Sequence, residues 1–271
     1  IEAIESVAAT GFREIELLAE GEEWAEPEGP SPAEHRKALD RTGVFPHTIH
    51  TPYSDVNLAS SDEQERQLGV ARVAGAMRFL AELGGRTAIV HPTGRPLNGE
   101  VFYTFENLGA ATENAHRSIS ELVPVAEETG VRVALENLPA RDMPCRPLET
   151  MEELRAFMAD LPAEHVGICM DTGHTRLVDL DIAEQARVAS ERLYALHIQD
   201  GDGPDDSHVP PGHGVLDWDS FGAALSDIGF DGAWTIEVLV KNYGGTIEEE
   251  AREVAALRAR WESDGMSNPG T

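Results

Sequence analysis

The sequence predicts an α/β chain of the (β/α)8 TIM-barrel type, and three observations predict it. Short β-branched runs alternate with longer amphipathic runs along the chain, the mark of repeated strand–helix units and a parallel sheet with right-handed crossovers. Several strand-like runs begin just after a glycine, as at Thr129-Gly130 and Ile228-Gly229, where glycine ends a helix by turning left-handed. The length of 271 residues matches one barrel of the usual size, about 250 residues. A doubly wound open sheet is the rival, but neither GxGxxG nor GxxxxGK[ST] follows any strand-like run, which argues against nucleotide-binding versions of it.

The chain opens in a helix over Ile1–Ala9 that ends at Gly11. The β-branched runs then place strands at Arg13–Leu18, Val44–Thr51, Arg86–His91, Val131–Glu136, His165–Asp171, Leu193–Gln199 and Ala233–Val238. Between and after them the amphipathic runs predict helices at Ala33–Arg41, Glu63–Leu83, Leu108–Thr129, Thr150–Asp160, Ile182–Ser190, Trp218–Ile228 and Ile247–Trp261. The acidic run Glu248–Glu250 falls in the first turn of the last helix, where negative charge suits the helix dipole. The acidic, proline-rich stretch Gly21–Pro32 reads as a surface loop. Seven strand–helix units are visible, so the first barrel strand is expected to precede residue 1 or to be missing. Residues 1–271 carry no boundary linker or low-complexity segment and read as one barrel domain.

Acidic residues outnumber basic ones 49 to 21, a formal charge of −28. Nucleic-acid and anionic-membrane binding need clustered Lys and Arg, so neither is expected. Hydrophobic residues at 41% suffice for a real core, which excludes a disordered acidic chain. No apolar run approaches the roughly 20 residues of a membrane span, and the start shows no secretory pattern. Cys145 and Cys169 form no CxxC spacing and read as buried thiols in a reducing compartment, so a cytoplasmic location is expected. Lysine occurs only at Lys37 and Lys241; this, with the acid excess, fits a halophilic source or an ordinary acidic protein of a GC-rich genome. The charge bears on solubility and not on fold.

Metal-ligand residue types recur at the strand C-terminal ends: His50, His91, Glu136, Asp171 with His174 one turn on, His197 and Glu237. In a barrel these ends converge on the face where active sites form. Burying several carboxylates together is costly without a compensating cation. The strongest set is Glu136, Asp171, His197 and Glu237. Three carboxylates and one imidazole suit one divalent ion, Mn2+, Mg2+ or Co2+, with Zn2+ also within range and with positions open to substrate; a structural zinc site would prefer a closed Cys/His shell. Such a site fits proton abstraction beside a carbonyl.

His50-Thr51-Pro52-Tyr53 with Asn57-Leu58-Ala59-Ser60, Leu135-Glu136-Asn137, Met170-Asp171-Thr172-Gly173-His174, Leu196-His197-Ile198-Gln199-Asp200, and His208 through Pro210-Pro211-Gly212-His213-Gly214 together resemble the xylose-isomerase-like barrel superfamily. The resemblance runs from Gly11 to Trp261. That group holds sugar (phosphate) isomerases and epimerases, inosose dehydratases, hydroxypyruvate isomerases and endonuclease IV. The resemblance implies that Glu136, Asp171, His197 and Glu237 are metal ligands, that Glu136 and Glu237 also exchange the substrate proton, and that His174 contacts substrate oxygens. A second matching, to the three-zinc endonuclease IV, makes His50, His91, His174, Asp206 and His208 additional metal ligands; in many sugar isomerases similar histidines line the substrate pocket instead.

No Lys or Arg lies between Arg192 and Lys241, which argues against a groove for DNA. The loop Gly201-Asp202-Gly203-Pro204-Asp205-Asp206 would repel a phosphate where barrels often bind one. Arg95, Arg141, Arg146 and Arg176 remain as anion contacts from other loops. The expectation is a divalent-metal-dependent isomerase or epimerase of a small unphosphorylated sugar or polyol ketone, with a dehydratase, a lyase or a C-glycoside-cleaving subunit as the alternative at the same site. The composition leaves room for a homo-oligomer. His213 reads as loop chemistry, His116 and His35 as solvated, and Trp218 and Trp234 as packing residues.

Overall fold

Seven parallel strands lie side by side in chain order, β1 to β7, in the computed structural model. The structure describes residues 2–94 apart from Glu28, 102–140 and 143–239, with scattered positions between 242 and 260. The strands are β1 (Glu14–Leu18), β2 (Phe45–His50), β3 (Thr87–Val90), β4 (Arg132–Glu136), β5 (Val166–Asp171), β6 (Leu193–Ile198) and β7 (Ala233–Ile236). Each pairs in parallel with the next, with register shifts at Ile15/Glu16 and Ile168/Cys169. Helices alternate with the strands, and the sheet curls into a nearly closed TIM barrel. The seam between β7 and β1 is crossed by a side-chain bond, Thr235 Oγ1 donating to Glu16 Oε2 at 3.2 Å.

The helices are α1 (Glu2–Thr10), α2 (Pro32–Thr42), α3 (Glu63–Leu83), α4 (Leu108–Thr129), α5 (Met151–Phe157), α6 (Thr172–Leu177), α7 (Ile182–Ala189) and α8 (Trp218–Asp227). Their ends follow capping chemistry. Asp62 accepts from the amides of Gln64 and Glu65 at the start of α3, and Thr150 with Glu153 forms a capping box on α5. Gly43, Gly84 and Gly130 end α2, α3 and α4 with positive φ. The helix expected over 247–261 falls largely on residues outside those described. Among the described residues no helix is long and apolar enough to cross a membrane.

Two expectations are corrected. The stretch from Gly21 to Pro32 is not merely a surface loop. Glu22–Trp24 forms a 3-10 turn, and Trp24 is buried edge-on against Phe79, with ring centres 5.0 Å apart. Arg72 Nε donates to the Trp24 carbonyl at 2.8 Å. His35 is not simply solvated either, since it packs edge-on against the same Phe79 at 5.2 Å.

Strand alternation sets the barrel interior. A small apolar layer of Ile89, Ala134, Cys169, Ala195 and Ala233 lies one pleat or more below the strand-end residues. His91, Glu136, Asp171 and His197 follow two residues later on the same face. A tight core of small side chains therefore leaves room above it for a crowd of polar groups at the mouth.

Candidate functional site

All nine residues expected at the site are brought into one connected cluster. Glu136, at the end of β4 and 1% exposed, is its centre. Its Oε2 lies 3.1 Å from His91 Nε2, 3.4 Å from His50 Nε2 and 3.5 Å from His197 Nδ1. Its Oε1 lies 3.2 Å from His174 Nδ1. His197 Nδ1 is also 3.0 Å from Glu237 Oε2. On the far side Asp206 Oδ2 lies 3.4 Å from His174 Nε2 and 3.0 Å from His208 Nε2.

Local structure fixes these groups. Asp171 ends β5 and caps the short α6, its Oδ1 accepting from the His174 amide at 2.7 Å. That turn of helix brings His174 back over the barrel. Backbone carbonyls take the Nδ1 hydrogens of three histidines: His50 donates to Thr51 O at 3.0 Å, His174 to Asn137 O at 3.0 Å and His208 to Glu237 O at 2.9 Å. Each therefore presents Nε2 to a carboxylate.

Burial and charge set the protonation of the metal-free cluster. Burial alone would raise the Glu136 carboxyl, but His197, His91 and His174 outweigh it and hold the group well below its ordinary value. Glu237 is held down at about 2, burial being outweighed by His197. Asp171 is raised to about 7 by burial, which His174 opposes and the neighbouring carboxylates reinforce. Burial lowers His91 to about 4. His174 and His197 are raised well above the ordinary imidazole value, the surrounding carboxylates overcoming burial.

The residues present fit a divalent cation. One ligand atom from each of Glu136, Asp171, His197 and Glu237 lies within 4.8 Å of all the others. His197 Nδ1 and Glu237 Oε2 are buried and neither has an aligned hydrogen-bond partner, although they lie 3.0 Å apart. Buried polar atoms are rarely left so, and a shared cation would satisfy both. The donor set of carboxylates and one imidazole suits hard or borderline ions.

Sequence reasoning missed four members of this neighbourhood as functional groups. Glu16 of β1 reaches into the barrel, with Oε1 3.1 Å from His197 Nε2. Gln199, fully buried after β6, donates to both oxygens of Asp171 at 3.2 and 3.0 Å and to Asp206 Oδ1 at 3.0 Å. Its Oε1 accepts from the His208 amide at 3.1 Å. Asn137 Oδ1 accepts from the Asp171 amide at 2.8 Å. Tyr53 packs against His50 and His91, with centres 4.8 and 4.9 Å apart. Tyr53, Asn137 and Gln199 stand inside the motif segments that carry the resemblance, which was the available signal, although no role was assigned to them; Glu16 had only its alternating position in the strand.

The loop after β6 is built on Asp200. Its carboxylate accepts from the amides of Gly201, Gly212 and Leu216 and from Trp218 Nε1 at 2.8–3.3 Å. Trp218 packs, as expected, and its bond to Asp200 also anchors the loop; His213 pairs with Glu253 at the surface. Arg176 donates to the carbonyls of Gly203 and Asp205, and buried Arg146 donates to those of Thr93, Gly94 and Pro139. Two of the four arginines considered for an anion contact are therefore engaged with backbone. Arg95 and Arg141 lie outside the described residues.

Known proteins share this fold. The chain is 28% identical to the D-psicose 3-epimerase of Enterocloster bolteae over 254 residues, 92% of this chain and 79% of that protein. It superposes on the crystal structure of a D-tagatose 3-epimerase-like protein with a TM-score of 0.82 at 25% identity, covering 97% of this chain and 94% of that one. The fold is also that of the IOLI protein, whose crystal structure carries a zinc atom, with a TM-score of 0.77 at 20% identity over 97% and 93% of the two chains. The model of the xylose isomerase-like TIM barrel family matches residues 4–260, and the chain belongs to that family.

Proposed function

We propose that this chain is a divalent-metal-dependent isomerase or epimerase of a small, unphosphorylated sugar or related polyol ketone. The observation that carries the reading is the four-residue cluster at the barrel mouth in which His197 Nδ1 and Glu237 Oε2 have no aligned partner; the similarity to sugar epimerases supports it. Glu136, Asp171, His197 and Glu237 would hold the ion. When bound, it would polarise the ketone oxygen and stabilise negative charge developing there. Glu237, with 34% of its side chain exposed, faces substrate more openly than Glu136. The two carboxylates exchange the proton of the carbon beside the ketone, one removing it and the other returning it. His174, its Nδ1 hydrogen held by the Asn137 carbonyl and its Nε2 beside Asp206, would donate from Nε2 to a substrate oxygen. Return of the proton to the opposite face inverts a stereocentre; loss of a neighbouring hydroxyl instead eliminates water, the dehydratase alternative.

An unphosphorylated substrate is favoured because Arg146 and Arg176 are engaged with carbonyls and the loop carrying Asp202, Asp205 and Asp206 borders the site. The test is product analysis with ketoses and inososes in deuterated water. We expect deuterium in the product, loss of turnover on exhaustive chelation with recovery on Mn2+ or Co2+, and a loss in kcat of at least about 100-fold in Glu237→Gln, the scale of one positioned acid–base group. Undiminished turnover in that variant sinks the mechanism.

A second reading has its own observation. His50 and His91 converge on Glu136 Oε2, and His174 and His208 converge on Asp206 Oδ2. Each is a carboxylate flanked by two imidazoles, the donor types of further zinc ions in a phosphodiesterase that resembles endonuclease IV. The lack of Lys and Arg from 193 to 240 opposes it. Two or three bound ions per chain with nicking of abasic DNA would establish it; one ion and no nicking would exclude it.

A further inference from the structure

His197 differs from three of its neighbours in how its outer nitrogen is served. In His50, His174 and His208 a backbone carbonyl takes the Nδ1 hydrogen, which leaves Nε2 for the cluster. His197 is turned the other way. Its Nδ1 faces Glu237 and Glu136 at 3.0 and 3.5 Å. Its Nε2 is buried with no aligned partner, and the group beside it is Glu16 Oε1 at 3.1 Å. Glu16 is in turn held from both sides of the barrel seam. Thr48 of β2 donates to its Oε2 at 2.7 Å and Thr235 of β7 at 3.2 Å. Both hydroxyls use Oε2, so Oε1 is left toward His197.

We propose that Glu16 is a positioning residue for His197. Its Oε1 accepts the Nε2 hydrogen, fixes the plane of the ring, and so turns Nδ1 toward Glu136 and Glu237 as the nitrogen that would face a cation. A separation of 3.1 Å is hydrogen-bond length, and the bond needs only alignment of the N–H. An imidazole that binds metal through one nitrogen usually donates from the other to such an acceptor, which sets its orientation and basicity. A carboxylate drawn into a barrel interior by two threonines, where an apolar residue would pack at less cost, has this task as its recompense. The inference rests on the metal-binding reading above.

The test uses the full chain and Zn2+ alone, titrated in competition with a chromophoric chelator. Loss of the acceptor in Glu16→Ala should weaken zinc binding by about 10–100-fold, the usual effect of removing such a partner. Glu16→Gln keeps an oxygen for His197 and an amide for the two threonine hydroxyls, so it should recover most of that loss. Nitrogen-15 shifts of the zinc-loaded wild type should place the hydrogen of His197 on Nε2 and the metal on Nδ1. The reverse assignment overturns the proposal without recourse to any variant. If wild type takes up no zinc, the metal reading falls and this inference with it. If wild type binds and both variants bind equally well, the inference alone falls.

Discussion

His208 shows how single residues here tie charge to stability. Burial works against its charged form, but the Asp206 carboxylate at 3.0 Å overcomes burial and raises it to about 9. A histidine whose folded value is raised stabilises the fold fully below its unfolded value, near 6.5, and that stabilisation disappears as pH climbs through 9. His174, raised with help from the same Asp206, acts with the same sign. The metal-free protein should therefore lose about 1–3 kcal/mol from this cluster between pH 6.5 and 9.5, the size expected for a shift of this order at a mostly buried site. Urea unfolding of wild type and Asp206→Asn across that range checks it; an equal pH slope in both proteins would refute the assignment. Glu136, Asp171, His197 and Glu237 were legible because each stands at or just beyond a strand end, where the barrel rule gathers them, whereas Asp206 and His208 lie in the loop well past β6 and were reached only through the resemblance to endonuclease IV. Glu16 was not, because a glutamate at a strand position reads as an ordinary polar residue until the register shows it facing Thr48, His197 and Thr235. Gln199 was hidden for a related reason: an amide has no chemistry of its own to announce, and its role consists of contacts to Asp171, Asp206 and His208 that no spacing encodes.

At the scale of elements, long periodic runs were readable to the residue, as α3 at Glu63–Leu83 and α4 at Leu108–Thr129 show. Six residues of α6 are too few to display a period, and its N-cap, Asp171, reads equally well as a strand-end ligand. The segment from Gly21 to Pro32 was opaque because its anchors lie elsewhere. Trp24 meets Phe79 and Arg72 of α3, and the Pro27 backbone passes over Gly75 of the same helix. A Cβ at Gly75 would fall 1.7 Å from the Pro27 carbonyl oxygen, and backbone cannot step aside as a flexible side chain can. Gly75→Ala improves helix propensity by about 1 kcal/mol, yet it forces the segment off the helix. We expect a net loss of about 1–3 kcal/mol, the range of overpacking, with Trp24 more exposed. Thermal melts and tryptophan emission check it: a more stable variant with a blue, buried spectrum would show that the segment is not held there.

For the molecule as a whole, the dominant physical quantity is its charge of −28 carried by 49 acidic and 21 basic residues. Two salt effects compete. Ion pairs such as Arg117 with Glu63, Arg78 with Glu128 and Arg187 with Asp227 are exposed, and each loses up to about 1 kcal/mol as salt screens it. Repulsion among the surplus carboxylates is screened too, and that stabilises the compact state. The surplus decides the sign: even with every cation paired, more than half of the carboxylates remain without one. Unfolding spreads these charges apart, so the folded state gains more from screening than the unfolded chain. The screening length shrinks from about 10 Å at 0.1 M to about 3 Å at 1 M, so most of the gain should come within that interval. We expect Tm to rise by several degrees in KCl between those concentrations, and to rise more at pH 8 than at pH 4.5, where many carboxylates have taken up protons and the repulsion is already relieved. KCl is the salt to use, because sulfate would strengthen apolar burial on its own account. A Tm that falls with KCl would mean that the surface ion pairs outweigh the repulsion. An equal rise at both pH values would mean that the salt acts through something other than carboxylate charge.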